Sequence, residues 1–149
     1  MASLVYNEFK RASASGEIDL AGGDDIRARL LMTNTTCDTE NTAIVNISDF
    51  TTVDTSDATG YADVALANEA VNKDDINTRA EFDADNISFS GLSGDATRDY
   101  QGVLLYKYVD GTDANDIPIA FIEFVNQPLA KEATQVDVPW DAQGILQLS

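Results

Sequence analysis

The chain is 149 residues long, enough for one domain with a substantial core, and its 26 acidic residues face only nine Lys and Arg, a formal charge of −17 with no histidine. Such a surface repels phosphate backbones and argues against nucleic acid as a partner, and no run of about 18 apolar residues is present to cross a membrane. The single Cys37 makes neither an intrachain disulfide nor a multi-cysteine zinc site.

Residues 4–13 place Leu4, Val5, Phe9 and Ala12 near one apolar stripe, which predicts a short helix ending at Gly16. The same stretch carries charges where a signal peptide needs its apolar centre, so secretion is not expected and synthesis inside a cell is. After a Gly-Gly-Asp-Asp turn, Ile26, Ala28, Leu30 and Met32 alternate with Arg27, Arg29 and Leu31, the period of a half-buried strand. Residues 33–59, rich in Thr, Asn and Asp, predict a long exposed loop or arm with one apolar island at 43–47 plus Phe50. Strands are expected at 62–67, 70–73, 79–83 and 87–90, separated by Asn and Asp turn formers. A loop over 91–99 leads to strand 102–108, and a hairpin-like DGTDANDIP connection leads on to strand 119–124. The chain then passes through 135–138 and Trp140 to a closing strand at 145–148. About eight short strands and no repeat unit imply one all-β domain over 1–149, an antiparallel β-sandwich or jelly-roll-like partly closed barrel with a helical segment at 1–16.

Four of the nine basic residues, Lys10, Arg11, Arg27 and Arg29, lie within the first 29 positions and are the candidate docking face towards an acidic patch. The competing reading has Arg27 and Arg29 lining a solvated strand face beside local Asp. In the long loop, Ile44, Val45, Ile47 and Phe50 are the candidate anchors of an arm reaching a neighbouring subunit; the alternative tucks them onto the chain's own core. Asp110, Asp113, Asn115 and Asp116 offer oxygens of the kind Ca²⁺ takes, about six to eight at a time. They miss the D-x-[DN]-x-[DN]-G pattern and a closing Glu, so they read as a polar hairpin tip, as do Asp83 and Asp85 as an acidic turn. Tyr100, Tyr106, Tyr108 and Trp140 suit a sugar-stacking platform less well than a core or interface.

The absence of histidine removes the usual proton shuttle and the usual partner of Cys37, and no G-x-S-x-G or Walker loop occurs. A paired-carboxylate hydrolase is the enzymatic arrangement left open, but 26 carboxylates make such a pair unidentifiable. No catalytic residue, cofactor or metal ligand is assigned, and an enzyme is not expected.

The segments YNEFKRASASGEIDLAGGDDIRARLLM, GYADVALANEAVNKDDINTRAEFDADNISFS and YQGVLLYKY…IPIAFIEF…VPWDAQGILQLS together resemble a family of small structural proteins of tailed bacteriophages. The resemblance spans most of the chain, is loosest over 37–57, and rests on apolar and turn patterns. It implies a virion protein, most like a capsid decoration or cement protein. Such a protein binds the major capsid protein on the outside of the head and associates with itself as a trimer or dimer, without nucleic acid, membrane or cofactor. The alternative it allows is a tail-associated structural part or a receptor- or sugar-binding module. This chain is more acidic than the family pattern, which points either to simple solubility or to a saline environment where screening weakens self-repulsion.

Overall fold

The computed structural model describes residues 3–148. Among them the chain forms β1 (Ser3–Val5), α1 (Asn7–Ala14), β2 (Ile26–Met32), a 3-10 turn (Ile47–Asp49), β3 (Val64–Ala65), β4 (Ala70–Asp74), β5 (Arg79–Asp83), β6 (Ile87–Phe89), β7 (Tyr100–Lys107), β8 (Ile117–Glu123), β9 (Val136–Val138) and β10 (Leu146–Leu148). A five-stranded sheet runs β1-β8-β7-β2-β3, a second runs β10-β5-β4, and β6 pairs with β9. Every pairing is antiparallel, and the protein is mostly β with one short helix, as the turn spacing and alternation predict. The five-stranded sheet does not close: β1 and β3 end it.

The large sheet is covered on both faces. Ile26, Ala28, Leu30 and Met32 of β2, with Val103 and Leu105 of β7, turn towards a main core completed by Phe9 and Ala12 of α1, Phe82 of β5, Phe89 of β6, Val138 of β9 and Trp140. Leu31, Leu104, Tyr106 and Phe121 turn the other way into a second core with Tyr6, Cys37, Ile44, Ile47 and Phe50. Burial on two sides explains why β7 is a continuous apolar run with little alternation. Within it, Gly102 makes room for a neighbouring ring, since a Cβ there would lie 2.6 Å from Phe121 Cζ.

Three expectations change. Leu4 and Val5 lie in β1, opposite Phe121 and Ala120 of β8, because pairing with the sheet outweighs the weak helical stripe. The helix therefore begins at Asn7, buries Phe9 and Ala12, and stops where Gly16 takes a φ of 78°. The expected strand over 62–67 shrinks to Val64–Ala65. The segment 33–59 is not an exposed arm. It lies across the outer face of the large sheet and supplies four side chains to the second core.

Candidate functional site

The densest polar constellation joins β2 and β7 to the 61–63 turn and the β7–β8 hairpin tip. Arg29 on β2 is 8% exposed, and its Nε lies 3.1 Å from Asp63 Oδ2 while Nη1 lies 2.9 Å from Asp113 Oδ1. Asp63 also accepts the Tyr61 hydroxyl at 2.7 Å and the Tyr106 hydroxyl at 2.6 Å. The Tyr61 oxygen in turn accepts the Leu30 backbone N–H at 2.8 Å. Burial opposes the charge on Arg29, but the two carboxylates overcome it and hold the guanidinium more firmly protonated than usual. Burial first, and the Asp63 charge second, push the Tyr61 phenol up; burial and the hydrogen bond to Asp63 do the same for Tyr106. Neither phenol exchanges a proton near neutral pH. The cluster pins β2, β7, the 61–63 turn and the β7–β8 hairpin tip to one another.

The other predicted docking cations separate from Arg29. Arg27 pairs with Asp25 at 2.7 Å and lies 3.6 Å from the centroid of the Tyr108 ring. Arg11, on the exposed side of α1, pairs with Glu8 and Glu17, and the hydrogen bond from Arg11 draws the Glu17 carboxyl down to about 2. Lys10 makes no ion pair among the described residues. Of the four predicted anchors, Ile44, Ile47 and Phe50 are buried in the chain's own second core, where Phe50 packs 5.2 Å from the Tyr6 ring, and Val45 is 49% exposed.

The acidic hairpin tip is organised around its own backbone. Asp110 accepts from the Thr112 N–H, the Thr112 hydroxyl and Asn115, while Asp113 faces Arg29. Asp116 is fully buried; its Oδ1 accepts the Val109, Asp110 and Gly111 N–H groups at 2.8, 3.3 and 3.3 Å, and its Oδ2 has no partner. Among the described residues no three acidic or cysteine side chains are grouped to hold a metal ion. Asp83 and Asp85 serve the turn before β6, accepting the Ala84 N–H and the Asn68 amide. The aromatic platform does not form: Tyr100 and Tyr106 are buried, and Trp140 spends its indole N–H on the Asp85 carbonyl at 2.9 Å. Burial pushes the Cys37 thiol up to about 12.

One feature escaped the reading of the sequence although its signal is there. The tripeptide Asp-Ala-Thr occurs at 57–59 and again at 95–97. The two copies clasp each other reciprocally: Asp95 accepts the Thr59 N–H and hydroxyl at 2.8 and 2.7 Å, and Asp57 accepts the Thr97 N–H at 2.8 Å and its hydroxyl. Ala58 and Ala96 are both buried beneath the clasp. These hydrogen bonds hold the Asp57 and Asp95 carboxyls below the usual carboxylate range. Comparison with protein-family models, curated proteins and solved structures finds no match.

Proposed function

We propose that the chain is a structural protein of a tailed-phage virion, a decoration or cement protein on the outer surface of the head. In this reading it binds the major capsid protein, ties neighbouring capsomers together, associates with itself as a trimer or dimer, and carries no catalytic or cofactor chemistry. The sequence resemblance supplies the family. The observation that carries the physical side is where the polar chemistry goes: Arg29, Asp63, Asp113, Asp57, Asp95 and Asp116 all hold segments of the chain in place. A cement must keep its shape while many weak contacts act together across a lattice, and internally committed polar groups serve that requirement. The excess negative charge keeps the free protein soluble and away from packaged DNA.

The test is the copy number of the chain per purified virion, by quantitative mass spectrometry against the major shell protein. A ratio comparable to the shell protein is expected. A few copies per particle would place the chain in the tail or connector and end the cement reading.

A further inference from the structure

Strand β1 ends the five-stranded sheet, and its outer edge has no partner among the described residues. Tyr6 N–H donates to the Ile119 carbonyl at 3.1 Å, so in this antiparallel ladder Leu4 and Tyr6 bond inward to β8. The backbone N–H and C=O groups of Ser3 and Val5 therefore point outward, free to pair.

The two sides of this edge have different chemistry. Towards the main core, Ser3, Val5 and Ile122 line a cavity of ≈ 240 Å³ with Trp140, Ile145, Gln147 and Asp141, whose carboxylate accepts the Gln143 N–H at 2.9 Å. On the opposite side, Leu4 and Phe121 border a cavity of ≈ 150 Å³ that carries Asp38 and Glu123. Neither carboxylate has a cationic partner among the described residues; Asp38 holds the Gln101 amide and Glu123 the Gln127 amide. Successive side chains of an added strand point alternately to these two sides.

We propose that the β1 edge accepts an extended segment of a partner protein as a sixth strand, with apolar side chains opposite Ser3 and Val5 and a Lys or Arg opposite Leu4. The apolar pair enters the cavity beside Val5 and Trp140, and the cation between them meets Asp38 and Glu123. Main-chain pairing supplies the affinity and the alternation supplies the selectivity. A second copy of this chain is the wrong occupant: a two-fold β1–β1 pairing sets Asp38 and Glu123 against their own images. The inference rests on the virion reading only for the partner's identity. Its test uses purified protein, so its failure is separable from failure of the copy-number count.

The probe is a fluorescein-labelled peptide of alternating Val and Lys, measured by polarisation against the purified chain. Four comparisons accompany it: an alternating Val and Glu peptide, a Val/Lys peptide N-methylated at alternate residues, the V5P variant and the D38N/E123Q double variant. The Val5 N–H faces outward, so proline there removes an edge donor while leaving the bonds to β8 in place. The expected result is saturable binding of the Val/Lys peptide that weakens with salt. Affinity should drop at least tenfold with N-methylation, with V5P, and with the D38N/E123Q double variant, and the Val/Glu peptide should not bind. Circular dichroism on V5P guards against loss of fold, and the N-methylated peptide tests the same bonds on unaltered protein. Three results would overturn the proposal: no binding by the Val/Lys peptide, equal binding by the N-methylated peptide, or a dimer in sedimentation velocity that V5P dissolves.

Discussion

Asp63 gathers three donors at once, Arg29, Tyr61 and Tyr106, and of these Arg29 alone also donates to a second carboxylate, Asp113. Removing that carboxylate leaves a guanidinium that is 8% exposed with Asp113 alone and strands two phenols. Breaking a buried pair of this kind typically costs 3–5 kcal/mol, so D63A should lose about 3 kcal/mol in urea unfolding. D113A, which removes a half-exposed partner, should lose about 1 kcal/mol or less. Equal losses would show that Asp63 is not the hub. The reciprocal Asp-Ala-Thr clasp makes a second prediction, this time in pH. Hydrogen bonding holds the Asp57 and Asp95 carboxyls low in the folded chain, and similar bonds do so for Glu40, Asp49 and Asp110. Groups depressed on folding contribute stability that is complete above their unfolded value, about 4, and that fades as pH falls through the folded values. With no histidine and a Cys37 thiol raised to about 12, the thermal midpoint should stay level from pH 7 to 5 and fall steeply below about pH 4. The D57N/D95N variant should be less stable at pH 7 and show a shallower acid decline. A main loss between pH 7 and 5 would contradict this account.

At the scale of elements, the covering segment acts as a second layer of the fold. Cys37, Ile44, Ile47 and Phe50 seal Leu31, Leu104, Tyr106 and Phe121 from water, and a capping box closes the 3-10 turn, with Asp49 accepting the Asn46 N–H at 2.9 Å. Ile47 is fully buried, so I47A should cost about 3 kcal/mol, within the usual range for such truncations. Deleting residues 39–49 should expose the sheet face and bring Cys37 within reach of a thiol reagent in native buffer, whereas the intact chain should label only on unfolding. A deletion variant as stable as the parent would mean that the segment is a dispensable arm. The sequence betrayed little of this layer, because its apolar residues at 37, 44, 47 and 50 are sparse among Thr, Asn and Asp and their spacing, helical in kind, belongs to a segment that forms no α-helix. Only the sheet beneath gives them a common face. Strands with a clear alternation were legible to the residue, as at Ile26–Met32 and Arg79–Asp83. The outward position of Arg29 in that alternation was legible too, but its burial was not, since the cover over it comes from residues 34 positions away and more. β1 was hidden for a related reason: three residues carry no period of their own, and their conformation is dictated by β8.

Over the whole molecule, the distribution of charge matters more than its sum. Seven of the nine basic residues, Arg11, Arg27, Arg29, Lys73, Arg79, Arg98 and Lys107, stand in ion pairs with carboxylates of their own chain. Ten carboxylates share these seven cations, so most of the formal surplus of −17 rests on the sixteen carboxylates without a cationic partner among the described residues. Two effects of salt compete. Screening relieves repulsion among these surplus charges, over a Debye length that shrinks from about 10 Å at 0.1 M to about 3 Å at 1 M. It also weakens the ion pairs, but the Arg11–Glu17 and Lys73–Asp75 pairs are exposed on both sides and contribute little, and the pairs of Arg29 with Asp63, of Arg79 and of Lys107 are largely covered and shielded from the ions. The acceptor bonds from carboxylates to backbone N–H groups are short-ranged and barely respond. Relief of repulsion should win, so the thermal midpoint at pH 7 should rise steadily from 0.02 to 1 M NaCl, and KCl should act alike because screening ignores ion identity. A gain of about 1 kcal/mol corresponds to about 3 °C for a chain of this size. At pH 4, where many surplus carboxylates take up protons, the same salt series should move the midpoint less. A midpoint that is flat or falling with salt at pH 7 would mean that the ion pairs outweigh the surplus, and it would remove any physical reason to connect this chain's acidity with a saline environment.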